Sequence, residues 1–373
     1  MRTNALAVLV LFVSTLAGAQ QPATWRLLEE WRVGGEPDGA LSFNDVRALR
    51  VLPNGQLAVL EFKDQQVHIL DASGHAVRTV GRKGSGPGEF RAANGLVVSP
   101  SGEIIVNDPP NARLTIFSTA GDLVRTVPSQ FWGYGYVWDG RFEPDGRLNE
   151  MVLFRRAGDT AVTQGRRIWS TDFSKTDTVV SPRCPGTAEK PSDVMFSYRA
   201  ARSSGNMGIP FVAPGTASVV GDDGYMWSGI WPDFGTIERR PPGQCDVAST
   251  IRLRGPRIPI SKADRDAAEK SVRDYFTKAG ADIPDLSKIP TELPAFDVLY
   301  LDASNRLWVE RPVASGPRRV EIYSATGVLL AQSSEPLSIV RGRPVVITND
   351  HIYAFTKDAD DLQYLVALKI VRN

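Results

Sequence analysis

The sequence has little of what builds metal or redox centres: its 373 residues include two cysteines and three histidines. His68, His75 and His351 fall at no helical or hairpin metal-ligand spacing, which argues against a zinc site. Charge of one sign is missing too, since 43 Lys and Arg against 42 Asp and Glu leave a formal net charge of +1. No strong field therefore draws nucleic acid or an anionic membrane, and neither is expected as a partner. No apolar run approaches the ~20 residues of a spanning helix, so no membrane span is expected. Catalytic signatures are equally scarce. Lys83 and Pro87 stand where a nucleophile elbow around Ser85 needs glycines, and no serine pairs by pattern with a His and an Asp. The run Gly81 to Gly88 lacks the Lys-Ser/Thr of a phosphate loop and reads as a connector between strands.

What is present is globular and rich in turns. Hydrophobic residues make up 42% and charged residues 23%, while 33 Gly and 26 Pro favour short strands joined by tight turns. Residues 1 to 19 combine Arg2, an apolar run from Ala5 to Leu16 and the small residues Ala17-Gly18-Ala19. This is the pattern of a secretory signal peptide cleaved near Ala19, so the mature chain is expected to be exported, periplasmic or secreted. In an oxidising compartment the pair Cys184 and Cys245, each in a Pro- and Gly-rich segment, reads as one disulfide.

An internal repeat organises the remainder. Pro53-Asn54-Gly55-Gln56-Leu57-Ala58-Val59 is matched by Pro100-Ser101-Gly102-Glu103-Ile104-Ile105-Val106, an offset of 47 residues. At the same offset Val67 to Gly74 aligns with Leu114 to Gly121, and Val77 to Val80 with Val124 to Val127. Each unit reads as an antiparallel meander of short strands, and a period in the forties is that of a β-propeller blade. Weaker copies open at Pro144-Asp145-Gly146, Asp222-Asp223-Gly224, Asp302-Ala303-Ser304 and Thr348-Asn349-Asp350. The expectation is an all-β, six-bladed propeller over 20–373, with blades near 42–85, 91–130, 136–180, 212–256, 297–332 and 340–373. An orphan strand at 24–33, with Trp25, Leu27 and Trp31 on odd positions, is expected to complete the last blade and close the ring. One segment breaks the pattern. Between 261 and 279, Ala263, Ala267, Val272, Tyr275 and Phe276 recur near helical spacing behind Ser261 and Asp264, which predicts a helix inside an insertion at 259–296.

The segment Gly81-Arg82-Lys83-Gly84-Ser85-Gly86-Pro87-Gly88-Glu89-Phe90, followed by Ile105-Val106-Asn107-Asp108 and Asn111-Ala112-Arg113, resembles an NHL repeat over residues 45 to 127. The whole layout is similar to exported bacterial six-bladed propellers of the NHL and TolB types. That resemblance implies a fold, a compartment and a binding role, and it transfers no catalytic set.

Candidate site residues follow from position. The channel ends of the inner strands carry Glu61, Asp108 and Arg311, with Val152, Ile230 and Thr356 at equivalent places and Glu150 and Glu310 nearby. Asp108, Asn111 and Arg113 have Glu61, Asp64 and Gln66 as counterparts, a set suited to bracing loops. The aromatic loop with Trp132 and Tyr134, and the loop bearing Tyr198 and Arg199, are candidates for a ligand rim. Two functions are consistent with this. The first is a non-catalytic exported propeller, without a cofactor, that binds a protein partner or small ligand at one face. The alternative is a metal-assisted lactonase- or lyase-like enzyme, with Glu61, Asp108 and Glu150 holding a divalent cation such as calcium.

Overall fold

The repeated units fold as four-stranded antiparallel sheets. In the computed structural model, residues 22–35, 41–129, 137–154, 163–180, 195–199, 203–211, 218–229, 235–313, 318–333 and 339–372 are described. The first sheet holds Val46–Val51, Leu57–Glu61, Gln66–Leu70 and Ala76–Val80, and the second holds Gly95–Val98, Ile104–Asp108, Arg113–Phe117 and Leu123–Pro128. Their matched turns use Gly55 and Gly102 at φ 83° and 90°, a left-handed conformation that favours glycine. The strands behind those turns, Leu57–Glu61 and Ile104–Asp108, are buried along their whole length because both faces of each sheet are covered. By contrast the outermost strand Ala76–Val80 is exposed at four of its five residues.

Two further four-stranded sheets follow. One contains Arg141–Phe142, Leu148–Phe154, Thr163–Trp169 and Thr176–Val180, the other Ser218–Val220, Met226–Gly229, Thr236–Arg240 and Ser249–Arg252. The remaining long sheet has eight strands. Its first part is Val298–Leu301, Leu307–Arg311, Arg319–Tyr323 and Leu329–Ser333, and its last is Val346–Ile347, His351–Lys357 and Gln363–Arg372. The N-terminal strand Ala23–Gly34 joins the two parts. It runs antiparallel to Gln363–Arg372, Trp25 opposite Arg372, and its first residues pair in parallel with Ala331–Ser333. Trp25 and Leu27 face inward at 6% and 7% exposure, as the odd-position pattern predicts.

The sheets stack face to face in a propeller-like arrangement. One apolar cluster, with Leu60, Phe90 and Ile104, lies between the first and second sheets, and another, with Val97, Trp138 and Leu148, between the second and third. A cluster of Leu49, Tyr353 and Phe355 returns from the C-terminal strands to the first sheet. Innermost strands meet along the axis: Val46–Val51 neighbours both Gly95–Val98 and Val346–Ile347.

A separate module sits beside the sheets. The helix Lys262–Lys278 begins where Ser261 Oγ accepts the Asp264 main-chain N–H at 3.1 Å. Its buried face differs from the sequence expectation: Ala268, Val272 and Phe276 are buried, Ala263 and Ala267 are exposed, and Tyr275 is 37% exposed. A strict four-residue spacing gives the narrow stripe that one small partner can cover. That partner is a hairpin, Met195–Arg199 with Ser204–Gly208, where the sequence reading has a loop. Phe196, Ile209, Val272, Phe276 and Ile289 form its own small core. No helix among the described residues is long and apolar enough to cross a membrane. Residues 1–19 and Cys184 lie outside the described residues, so the signal peptide and the Cys184 to Cys245 bridge do too.

Candidate functional site

The strand ends expected to carry chemistry instead hold the backbone in place. Glu61 and Asp108 each close the second strand of their sheet, and both are fully buried. The Glu61 carboxylate accepts the Asp45 N–H at 3.0 and 3.1 Å and the Lys63 N–H at 3.2 Å. Asp108 accepts the N–H groups of Arg91 and Ala92 at 3.0 and 3.1 Å, and Asn111 Nδ2 at 2.6 Å. In both sheets the carboxylate turns back on the main chain that enters its own innermost strand. Arg311 occupies the same place with opposite sign and inverted roles: it donates to the carbonyls of Ala295 and Arg254 at 3.1 and 2.8 Å and to the Glu321 carboxylate. Asn111 and Arg113 extend the brace, reaching the carbonyls of Gly84, Ser85, Gly86 and Glu89 in the glycine connector.

Glu150 is occupied in another way. Its carboxylate takes Trp138 Nε1 at 2.6 Å, Trp169 Nε1 at 2.8 Å and the Arg167 guanidinium at 3.3 Å. Burial pushes the carboxyls of Glu61 and Glu150 above the ordinary value, and their hydrogen-bond donors pull the other way. Among the described residues no three His, Cys, Asp or Glu side chains converge as a metal-binding group. The three carboxylates expected to share a cation do not converge here: each is turned into its own sheet, where buried main-chain N–H and indole N–H groups need acceptors.

Tyr198 and Arg199 fare differently. They lie on the hairpin strand Met195–Arg199, and Ser197, Tyr198, Arg199, Ser204, Gly205 and Asn206 line an open groove of about 430 Å³. Strand alternation sorts the two faces. Tyr198 turns toward the helix, its ring 6.0 Å from Tyr275 and 5.5 Å from Phe276, and the Tyr275 hydroxyl donates to the Asn206 carbonyl at 3.2 Å. Gly205 sits opposite Tyr198 because a Cβ there would come within 2.7 Å of the ring. Ser197, Arg199, Ser204 and Asn206 point outward, and the Arg199 guanidinium has no ion pair among the described residues. Trp132 and Tyr134 lie outside the described residues, as does Ile230.

One cluster escapes the sequence reading apart from Glu310. Asp297 precedes the innermost strand Val298–Leu301 and donates its N–H to the Glu310 carbonyl at 2.8 Å. Arg318 contacts both carboxylates, at 3.1 Å from Glu310, while Arg341 lies 3.2 Å from Asp297. Burial raises both carboxyls, and for Glu310 the Asp297 charge adds to it. Tyr300 is raised by burial and then by Glu310. The sequence signal was an acid on each side of an apolar strand pair, which is too common to single out.

No protein-family model matches the chain, and no curated protein does. Among solved structures, an exported protein of Bacteroides fragilis superposes with a TM-score of 0.50 at 14% identity, over 94% of this chain and 95% of that one. The virginiamycin B lyase of Staphylococcus aureus gives 0.48 at 10% identity, over 93% and 100%. A calcium-binding regucalcin of Agrobacterium tumefaciens gives 0.43 at 14% identity, over 94% and 97%. At these identities the likeness shows the fold alone.

Proposed function

We propose that the chain is an exported, disulfide-bridged ring of six NHL-like blades that binds a small polar ligand or a polar segment of a partner in the hairpin groove. The observation that supports this is a contrast in how polar groups are used. Glu61, Asp108, Glu150 and Arg311 have their hydrogen-bonding capacity engaged within the fold, whereas the side chains of Ser197, Arg199, Ser204 and Asn206 line an open groove with no partner among the described residues. Unengaged hydroxyls, an amide and a guanidinium beside an aromatic ring suit a ligand rich in hydroxyl or carboxylate oxygens. The test is native mass spectrometry of protein purified from its exported fraction. A bound small molecule is expected in the wild type and a loss of roughly tenfold or more in occupancy in Arg199→Ala, the size expected for one charge-assisted hydrogen bond. Retention of the same adduct by Arg199→Ala would rule the groove out.

A second reading, catalysis, rests on Asp297 and Glu310. Two neighbouring carboxyls raised by burial, bridged by the partly exposed Arg318, form the kind of perturbed pair that general acid chemistry uses. Under this reading the wild type hydrolyses simple lactones or esters, and Glu310→Gln abolishes turnover with an unchanged circular dichroism spectrum. Because both carboxyls are raised, acid-dependent activity declines as pH rises above the ordinary carboxylate range. A wild type inert toward lactones and esters across that range removes the reading.

A further inference from the structure

Arg50 is the exception to how this fold treats its arginines. Every other partly or fully buried arginine among the described residues has a carboxylate within 4.0 Å or, in Arg113, three main-chain carbonyls. Arg50 has neither. It stands on the innermost strand Val46–Val51, and its one hydrogen bond among the described residues is from Nη1 to the carbonyl of its neighbour Leu49, at 2.9 Å. Four of the five guanidinium N–H donors have no protein partner among the described residues. Burial presses its pKa down, while solvent still reaches part of the side chain. Among the described residues the charge opposing this is Asp222, on the turn after the strand Ser218–Val220 of a different sheet. Arg50 and Asp222 make no ion pair within 4.0 Å, so the cation on this strand has no carboxylate partner among the described residues.

We propose that Arg50 anchors an oxyanion, a carboxylate, sulfate or phosphate group, held within the axis of the sheets. The planar guanidinium fork matches two oxygens of such a group, and a partly buried cation without a nearby carboxylate gains from one. Asp222 is too far away to form an ion pair with Arg50, and its charge works against a bound anion. This site is separate from the hairpin groove, and its occupant is recognised by charge and shape at a single oxyanion.

The test is thermal unfolding of the whole chain titrated with sodium acetate, sulfate or phosphate, against sodium chloride at equal ionic strength. A saturable rise in Tm is expected for at least one oxyanion, on top of the non-saturable rise that sulfate and phosphate give any protein. Arg50→Gln removes the saturable part. Arg50→Lys keeps the charge, loses the fork and binds at least tenfold more weakly, so the inference survives a glutamine variant that folds poorly. Asp222→Asn, on an exposed turn, tightens binding severalfold. Equal saturable stabilisation in wild type, Arg50→Gln and Arg50→Lys overturns the proposal, as does its absence from the wild type. Loss in Arg199→Ala alone would move the anion to the groove and overturn it too.

Discussion

Replacing Glu150 with alanine lowers the stability of the fold by about 3–5 kcal/mol, the cost of removing one partner from a buried charged network. Glu150 is fully buried and is the acceptor for two indole N–H groups and the Arg167 guanidinium. Trp138 and Trp169 are themselves buried at 3% and 5% exposure and belong to the cluster between the second and third sheets. Truncation therefore strands two donors where no water replaces the carboxylate and opens a void beside them. Urea denaturation followed by tryptophan fluorescence measures the loss, because the affected rings are the reporters. Glu150→Gln is milder, since one amide oxygen still accepts. Its pH dependence carries a sign. The Glu150 carboxyl is raised by burial, so its contribution is fully present below the unfolded carboxylate value and is lost as pH rises through the folded one. The stability gap between wild type and Glu150→Gln is then widest at acid pH and narrows upward. A gap that widens with pH would show that the hydrogen bonds to the ionised form outweigh its desolvation.

Much of the fold is legible in the sequence because turn chemistry and strand alternation are local. Gly55 and Gly102 mark the same turn in successive units, Ser261 marks the helix start, and Trp25 with Leu27 marks the inward face of the N-terminal strand. The site is far less legible, for reasons that are also physical. A carboxylate recurring at Glu61 and Asp108 looks the same in sequence whether it faces a ligand or its own main chain; only the three-dimensional path of residues 45 and 91–92 decides. The hairpin Met195–Gly208 is hidden because Ser204-Gly205-Asn206-Met207-Gly208 has little strand propensity, and its packing comes from a helix more than fifty residues later. Nothing in the sequence sets Arg50 apart, and only the sheet order places it on an innermost strand. Asp297 and Glu310 meet only because Val298 and Glu310 are register partners.

Gly81→Ala is expected to cost about 2–4 kcal/mol, combining backbone strain with overpacking. Gly81 has a φ of 83°, and a Cβ built on it lies 2.2 Å from Cε2 of Phe90. Phe90 cannot move aside easily: it is fully buried, its ring meets Phe117 at 6.0 Å, and it belongs to the cluster that joins the first two sheets. The chain on either side is pinned as well, by Phe90 N–H to the Arg82 carbonyl at 2.8 Å, Gly84 N–H to the Phe90 carbonyl at 2.9 Å, and Arg82 to Glu89 at 2.8 Å. Gly55 supplies the control, because it has the same φ of 83° with nothing within 4 Å of its Cβ position. Gly55→Ala should therefore cost only the backbone share, about 1 kcal/mol. The difference between the two alanines, read from urea midpoints at equal m-values, isolates the contact with Phe90. Trimming the ring in Gly81→Ala/Phe90→Leu should recover part of it, so that the double variant is more stable than the sum of the two single losses. Equal losses for Gly81→Ala and Gly55→Ala would mean that the connector yields, and that its glycine serves the turn rather than the seam between the sheets.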